Sequence, residues 1–272
     1  MCNSLSLLDR IMSPGQITTL LQPIFQQGGD RWKVVALEAL SRGPAGTNLQ
    51  PADVLFEYVR RKRKEDIVDL ACLRSAAFHA AALSPHSDLF VNVHASSLSK
   101  SDSFVDGVEQ ICSAYAFTPS NLVVEVVEHS PYWNHHEFIQ STKRLRDLGV
   151  RIAVDDLGVA YSSFKVILDA NPEFLKIDIY ITRGCHRDHV RRSMIESFVF
   201  LGRSVGAQVI AEGIELKRDL DVLRSLGVSM FQGYMLGKPQ PASQLKTTLK
   251  QLESSGGSLR DFSCESLAQC ND

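Results

Sequence analysis

Three stretches of the chain repeat one design. In RLRDLGVRIAVDD (144–156), LGRSVGAQVIAEG (201–213) and VLRSLGVSMFQG (222–233), apolar positions recur at helical spacing up to a glycine. A short β-branched and apolar run then ends at acidic or amide side chains. Helical spacing places the apolar side chains on one face, so each stretch begins as an amphipathic helix. Gly149, Gly206 and Gly227 stand where a helix C-cap needs a left-handed residue. Val150–Val154, Gln208–Ala211 and Val228–Phe231 have the composition of buried parallel strands.

Five further strands are read at Leu20–Phe25, Lys33–Leu40, Leu89–Val93, Leu122–Val127 and Phe174–Ile177, with helix-like stretches between most of them. Only Gln26–Asp30 separates the first two strands, which is too short for a crossover helix and predicts an antiparallel hairpin. Alternation of strands and helices along nearly the whole chain predicts an α/β fold, a (β/α)8 TIM-type barrel with an antiparallel first strand. Rossmann and P-loop fingerprints are absent. The expected layout is an N-terminal extension over 1–15, the barrel over 16–251, and a flexible Ser- and Gly-rich tail over 252–272.

Composition narrows the partners. In 272 residues, 29 Lys and Arg face 31 Asp and Glu, a formal charge of -2. No phosphate-coating surface follows from that balance, so a nucleic-acid polymer is not an expected partner. No apolar run is long enough to span a bilayer and the first residues lack a signal-peptide pattern, so membrane insertion is not expected and the expected compartment is the cytoplasm. Six scattered cysteines without a CxxC pair read as reduced thiols. Cys185, His186 and His189 lack a fourth ligand at metal spacing and read as a polar loop leading into a helix.

Chemistry is expected where the strands end, because the C-terminal mouth of such a barrel gathers its polar side chains. Those ends carry Glu38, Asn92, Glu125, Asp155 with Asp156, Lys176, Glu212 and Gln232. A lone acidic residue there is more often a helix N-cap. Several carboxylates at one mouth would repel one another unless cations neutralised them. Oxygen donors with an amide suit Mg²⁺ or Mn²⁺ rather than Zn²⁺. The pair Asp155-Asp156 points to two ions about 3.5–4 Å apart, as in two-metal phosphoryl transfer. Lys176 either polarises the attacking water or forms a structural salt bridge to the carboxylates.

These motifs resemble the EAL-domain family of cyclic di-GMP phosphodiesterases over roughly Gln16 to Gln251. Glu38-Ala39-Leu40-Ser41-Arg42 is followed in family order by FVNVHASSL, LVVEVVE, IAVDDLGVAYSSF, LKID, VIAEGIE and FQGYMLGKP. The resemblance implies two divalent cations, the first on Glu38, Asn92, Glu125 and Asp155, the second on Asp155, Asp156 and Glu212. It implies catalytic roles for Glu38, Lys176, Glu212 and Gln232, with Lys176 on the nucleophilic water. It places Gln22, Leu40 and Arg42 against the substrate, and gives Glu128 the task of steadying the loop Leu157–Phe164. The implied reaction opens cyclic di-GMP to linear pGpG, and the implied assembly is a homodimer. The chain departs from the family pattern at Leu21, at Gly43, and at Leu157-Gly158-Val159-Ala160, where Phe-Gly-Thr-Gly is usual. The alternative those departures raise is a catalytically weak or inactive domain that serves as a cyclic di-GMP receptor or protein-interaction module.

Two remaining features read as structural. The run Arg60–Lys64 is expected on a solvated helix surface, and Tyr132, Trp133, His135 and His136 as packing at the start of a helix.

Overall fold

The predicted alternation closes on itself. The structure is a computed structural model that describes residues 6–13, 15–28, 31–81, 83, 87–100, 103–127, 134–159 and 164–254. Its eight strands form a closed barrel in chain order. They are β1 (Thr18–Gly28), β2 (Arg31–Arg42), β3 (Asp88–His94), β4 (Leu122–Val127), β5 (Arg151–Leu157), β6 (Phe174–Ile177), β7 (Gln208–Ala211) and β8 (Met230–Phe231). β1 runs antiparallel to both β2 and β8, and every other neighbouring pair is parallel. The β1–β2 ladder continues to the pair Gly28 and Arg31, as a hairpin requires; Gly29 and Asp30 lie outside the described residues.

Five strands differ in their limits from the expected ones, β1 and β3 by extension at both ends and three others nearer the site. β2 continues past Leu40 to Arg42 because its antiparallel ladder with β1 outruns its pairing to β3, which stops at Ala39. Glu38 therefore sits within a strand rather than at its end. β5 takes in Asp155 and Asp156, while β8 shrinks to two residues and leaves Val228 in the preceding turn.

Side-chain alternation sorts the strands into two cores. Leu37, Val91, Val124, Ile152, Leu175 and Val209 belong to a large buried cluster shared with helix residues such as Phe138, Leu145 and Val199. The other set is a smaller, separate cluster with one residue from each strand: Ile24, Ala36, Phe90, Val123, Ala153, Phe174, Ile210 and Met230. This set is the packed barrel interior, with the Phe90 and Phe174 rings edge-on at 5.1 Å. All of its members except Val35, packed at its side, are buried, so it acts as a solid floor.

Local signals start and stop the helices, and the three glycines act as the sequence predicts. Asn134 caps the helix His135–Asp147, and Asp188 caps His189–Val205. Gly149, Gly206 and Gly227 all take positive φ after their helices. Ahead of the barrel, the helix Leu7–Met12 closes a capping box between Ser6 and Asp9 and buries Ile11 with Leu49, Leu55 and Val59. After it, the helix Ala242–Ser254 buries Leu245. Among the described residues no helix is long and apolar enough to cross a membrane.

Candidate functional site

Two residues along each strand from the barrel floor, the side-chain chemistry changes. Glu38 follows Ala36, Asn92 follows Phe90, Glu125 follows Val123, Asp155 follows Ala153 and Lys176 follows Phe174. Glu212 follows Ile210, and Gln232 follows Met230. On the reversed strand β1 the order inverts, and Gln22 precedes Ile24 while pairing across to Glu38. A period of two thus lifts one polar group per strand onto the apolar floor.

Lys176 occupies the centre of this ring and is only 1% exposed. Its Nζ lies 2.5 Å from Glu212 Oε1, 3.5 Å from Glu38 Oε2 and 3.5 Å from Asp155 Oδ1, and it also pairs with Glu125. Burial opposes the lysine charge, but Asp155, Glu125, Glu212 and Glu38 outweigh it and hold the pKa well above the usual lysine value. Glu38 is held further: Gln232 Nε2 donates at 2.5 Å to Oε2, the oxygen that also faces Lys176, and Asn92 Nδ2 donates to Oε1 at 3.3 Å. Gln232 Nε2 also donates to Gln22 Oε1 at 3.1 Å, and Gln22 is anchored in turn on the Gly237 carbonyl.

One ammonium does not neutralise these carboxylates. Burial, reinforced by the Asp155 charge, pushes Glu125 well above the ordinary carboxylate range against the pull of Lys176. Burial does the same to Glu212. Asp156 is pushed up to about 6 by burial and then by Asp155 and Asp178. Two groups bring carboxylate oxygens within 4.8 Å of one another: Glu125, Asp155 and Glu212, and Asp156, Asp178 and Glu212. Among the described residues, Glu125 Oε2, Asp155 Oδ1 and Gln232 Oε1 are buried without a hydrogen-bond partner. Excess negative charge, unsatisfied oxygens and an all-oxygen donor set fit hard divalent cations.

Neighbouring strand residues ordinarily face opposite ways, yet Asp155 and Asp156 both approach Glu212. The β5–β6 register shifts between Val154 and Leu157, and Asp156 adopts φ 55. The bulge with its left-handed aspartate turns the second carboxylate back to the site. Asp178 was absent from the expected set although it lies two positions beyond Lys176, the same period that orders the ring. Its other role, capping the helix Ile179–Thr182 through the Tyr180 N–H at 2.7 Å, is the ordinary reading of an Asp there.

The ring opens into a cavity of about 330 Å³ lined by Gln22, Glu38, Asp155, Lys176, Glu212 and Gln232. Glu215 and Tyr234, which the sequence reading left out, join its wall. Asn92, Glu125 and Asp156 are not part of that wall; Glu125 is completely buried. Leu40 and Arg42 continue the Glu38 face of β2 at the same period, half-buried, with Arg42 Nη1 donating to the Ser41 carbonyl at 2.9 Å. Glu128 and the loop residues 160–163 lie outside the described residues.

The features read as structural stay apart from this cavity. Asp219 accepts from the N–H groups of Gly184 and His186, each at 3.0 Å, and lies 2.5 Å from His186 Nδ1, so Cys185 and His186 belong to an anchored turn. Cys72, Cys112 and Cys185 are buried free thiols, and Cys2, Cys264 and Cys270 lie outside the described residues. Arg61–Lys64 are exposed at the end of the helix Ala52–Lys62. His135 contacts Asp169 at 3.2 Å, whereas Tyr132 and Trp133 lie outside the described residues.

Comparison with known proteins places this geometry among relatives. A family model described as the EAL domain matches residues 6–239. The cyclic di-GMP phosphodiesterase PdeF of Escherichia coli is 32% identical over 146 residues, covering 54% of this chain and 19% of that protein. Among solved structures, BlrP1 of Klebsiella pneumoniae in a calcium/cy-diGMP complex is 26% identical with a TM-score of 0.74, covering 84% of this chain and 56% of that one. A standalone EAL protein of Vibrio cholerae in its c-di-GMP bound form is 25% identical with a TM-score of 0.73, covering 83% and 93%. The chain thus spans about a fifth of PdeF and just over half of BlrP1.

Proposed function

The chain belongs to the EAL-domain family, and from that premise we propose that it is a metal-dependent phosphodiesterase that hydrolyses cyclic di-GMP to linear pGpG. The observation that carries the reading is the ring itself: two carboxylate groups joined at Glu212 beside the buried Lys176, at the mouth of an open cavity. Glu38, Asn92, Glu125, Asp155, Asp156 and Glu212 would hold two Mg²⁺ or Mn²⁺ ions, with Asp178 completing the second set. Bound there, such ions supply Lewis-acid stabilisation of phosphoryl oxygens and a water of lowered pKa.

The protein groups have separate tasks. Lys176 offers a fixed positive charge to orient a water by hydrogen bonding, since its surroundings keep it protonated. Gln232 and Asn92 lock the Glu38 carboxylate in place. Gln22, Leu40 and Arg42 contact the dinucleotide, the arginine by a forked hydrogen bond to phosphate. Glu128 steadies the loop after β5. The homodimer belongs to the same proposal: beside that loop, Phe164 and Leu168, four residues apart on one helix, are 65% and 80% exposed.

The test is turnover. Purified protein incubated with cyclic di-GMP and Mn²⁺ should release pGpG, and chelation should stop the release. Absence of product while the dinucleotide demonstrably binds refutes hydrolysis. That outcome establishes the second reading, a receptor without turnover, which the altered run Leu157-Gly158-Val159-Ala160 favours.

A further inference from the structure

Glu212 belongs to both carboxylate groups, so its aim governs the whole site. Its own strand does not fix that aim, because β7 ends at Ala211. The Glu212 N–H donates to the Ile177 carbonyl at 3.1 Å, which ties the start of the residue to β6. Its carbonyl accepts from Thr182 Oγ1 at 2.6 Å, which ties the end. Thr182 is 1% exposed and sits on the four-residue helix Ile179–Thr182, in company with the buried Ile181.

A second contact comes from the same face of that helix, three residues earlier. Gly213 takes φ 64, and a Cβ there would stand 2.2 Å from Ile179 Cγ1. The peptide between Glu212 and Gly213 therefore lies flush against Ile179 while Thr182 holds its oxygen. The helix is itself fastened at both ends. Asp178 caps its start, and Asp219 holds the Gly184 N–H at 3.0 Å just past its end. One short helix thus sets Asp178 and Glu212, two of the three members of the second carboxylate group, against each other.

We propose that Thr182 is a positioning residue, whose buried hydroxyl fixes the Glu212–Gly213 peptide and so aims the Glu212 carboxylate for divalent cations. The role rests on the cation-binding reading of this site. Valine has nearly the same shape and cannot donate, so a threonine in this apolar setting differs by the hydroxyl alone. Partners of this kind, one bond removed from a metal ligand, govern affinity by orientation.

The experiment is calorimetric titration of Mn²⁺ into the metal-stripped full chain, without dinucleotide, for wild type, Thr182→Val and Thr182→Ser. Melting in EDTA is measured alongside. Thr182→Val should bind Mn²⁺ about tenfold more weakly, and Thr182→Ser, which keeps the hydroxyl and loses the methyl, should remain within about twofold of wild type. Equal affinity of the valine variant and wild type overturns the positioning role alone. So does an equal loss in the serine variant, since packing and not the hydroxyl would then be at work. A wild type that takes up no Mn²⁺ overturns the cation reading and this role with it. Should the valine variant melt too early to titrate, Thr182→Ala takes its place beside Thr182→Ser, since the two differ by the hydroxyl alone, and equal affinities in that pair overturn the role.

Discussion

Replacing Lys176 with methionine removes the only ammonium from the ring while nearly keeping the side-chain volume. Each of its contacts at 3.5 Å, to Glu38 and to Asp155, is worth about 5 kcal/mol of attraction at an effective dielectric constant of 20. Desolvation of the ammonium consumes much of that gain. Deleting one partner of a buried ion pair typically costs about 3–5 kcal/mol, because the remaining charges lose their counterion. Urea unfolding of metal-stripped protein at neutral pH should therefore show Lys176→Met less stable by that amount. The carboxylates left behind attract cations more strongly, so Mn²⁺ should stabilise the variant more than it stabilises wild type. At a hundredfold excess over the dissociation constant, the recovered stability is about 2.7 kcal/mol. Turnover should stay lower by about a hundredfold or more, since a metal ion does not replace an oriented proton donor. A variant as stable as wild type without metal, or one gaining no more from Mn²⁺ than wild type gains, would refute the electrostatic account of the ring.

Three other outcomes are expected. In metal-free protein, Asp156 stays protonated in the fold up to about pH 6, while its ordinary value is 3.8; the folded state then binds more protons between these values, and stability declines as pH rises through them. Melting curves from pH 4 to 7 in EDTA should fall less steeply for Asp156→Asn than for wild type, and equal slopes would contradict the shift. Phe90→Ala, in the barrel floor with no exposed surface, should cost about 3–5 kcal/mol by denaturant unfolding; a loss under about 1 kcal/mol would mean that the floor is not closely packed. Leu168→Glu, at a position 80% exposed, should turn the proposed homodimer into a monomer in light scattering with little change in melting, and an unaltered mass would remove this face from that proposal.

The order of elements and the identity of the ring were open to a reader of the sequence because both obey short periods. Gly149, Gly206 and Gly227 punctuate the helices, and polar residues interrupt apolar strand runs at Glu125, Lys176 and Glu212. Glu38 was recognised but its setting was not: it lies inside β2, since an antiparallel ladder carries on where parallel pairing stops. The convergence of Asp155 with Asp156 depends on a bulge and a left-handed residue, neither of which leaves a trace in local composition. Asp178 was hidden by a second, sufficient role as an N-cap. Thr182 reaches Glu212 across 30 positions of chain, and nothing local announces such a bond.

The antiparallel strand β1 has a consequence in time as well as in space. It closes the barrel by pairing Phe25 with Phe231, so the first barrel strand to be made waits for the last. Until that pairing forms, Gln22 has no Gln232 to meet, and the hydrogen bonds that hold Glu38 are incomplete. Contacts between such distant positions slow folding, because the loop must be closed before they can form. A nascent chain on the ribosome can thus carry Glu38, Glu125 and Asp155 in finished strands and still lack the full enclosure whose burial pushes the Glu125 carboxyl up. On the proposed function, competence for cations is then complete only with the last turn of the barrel.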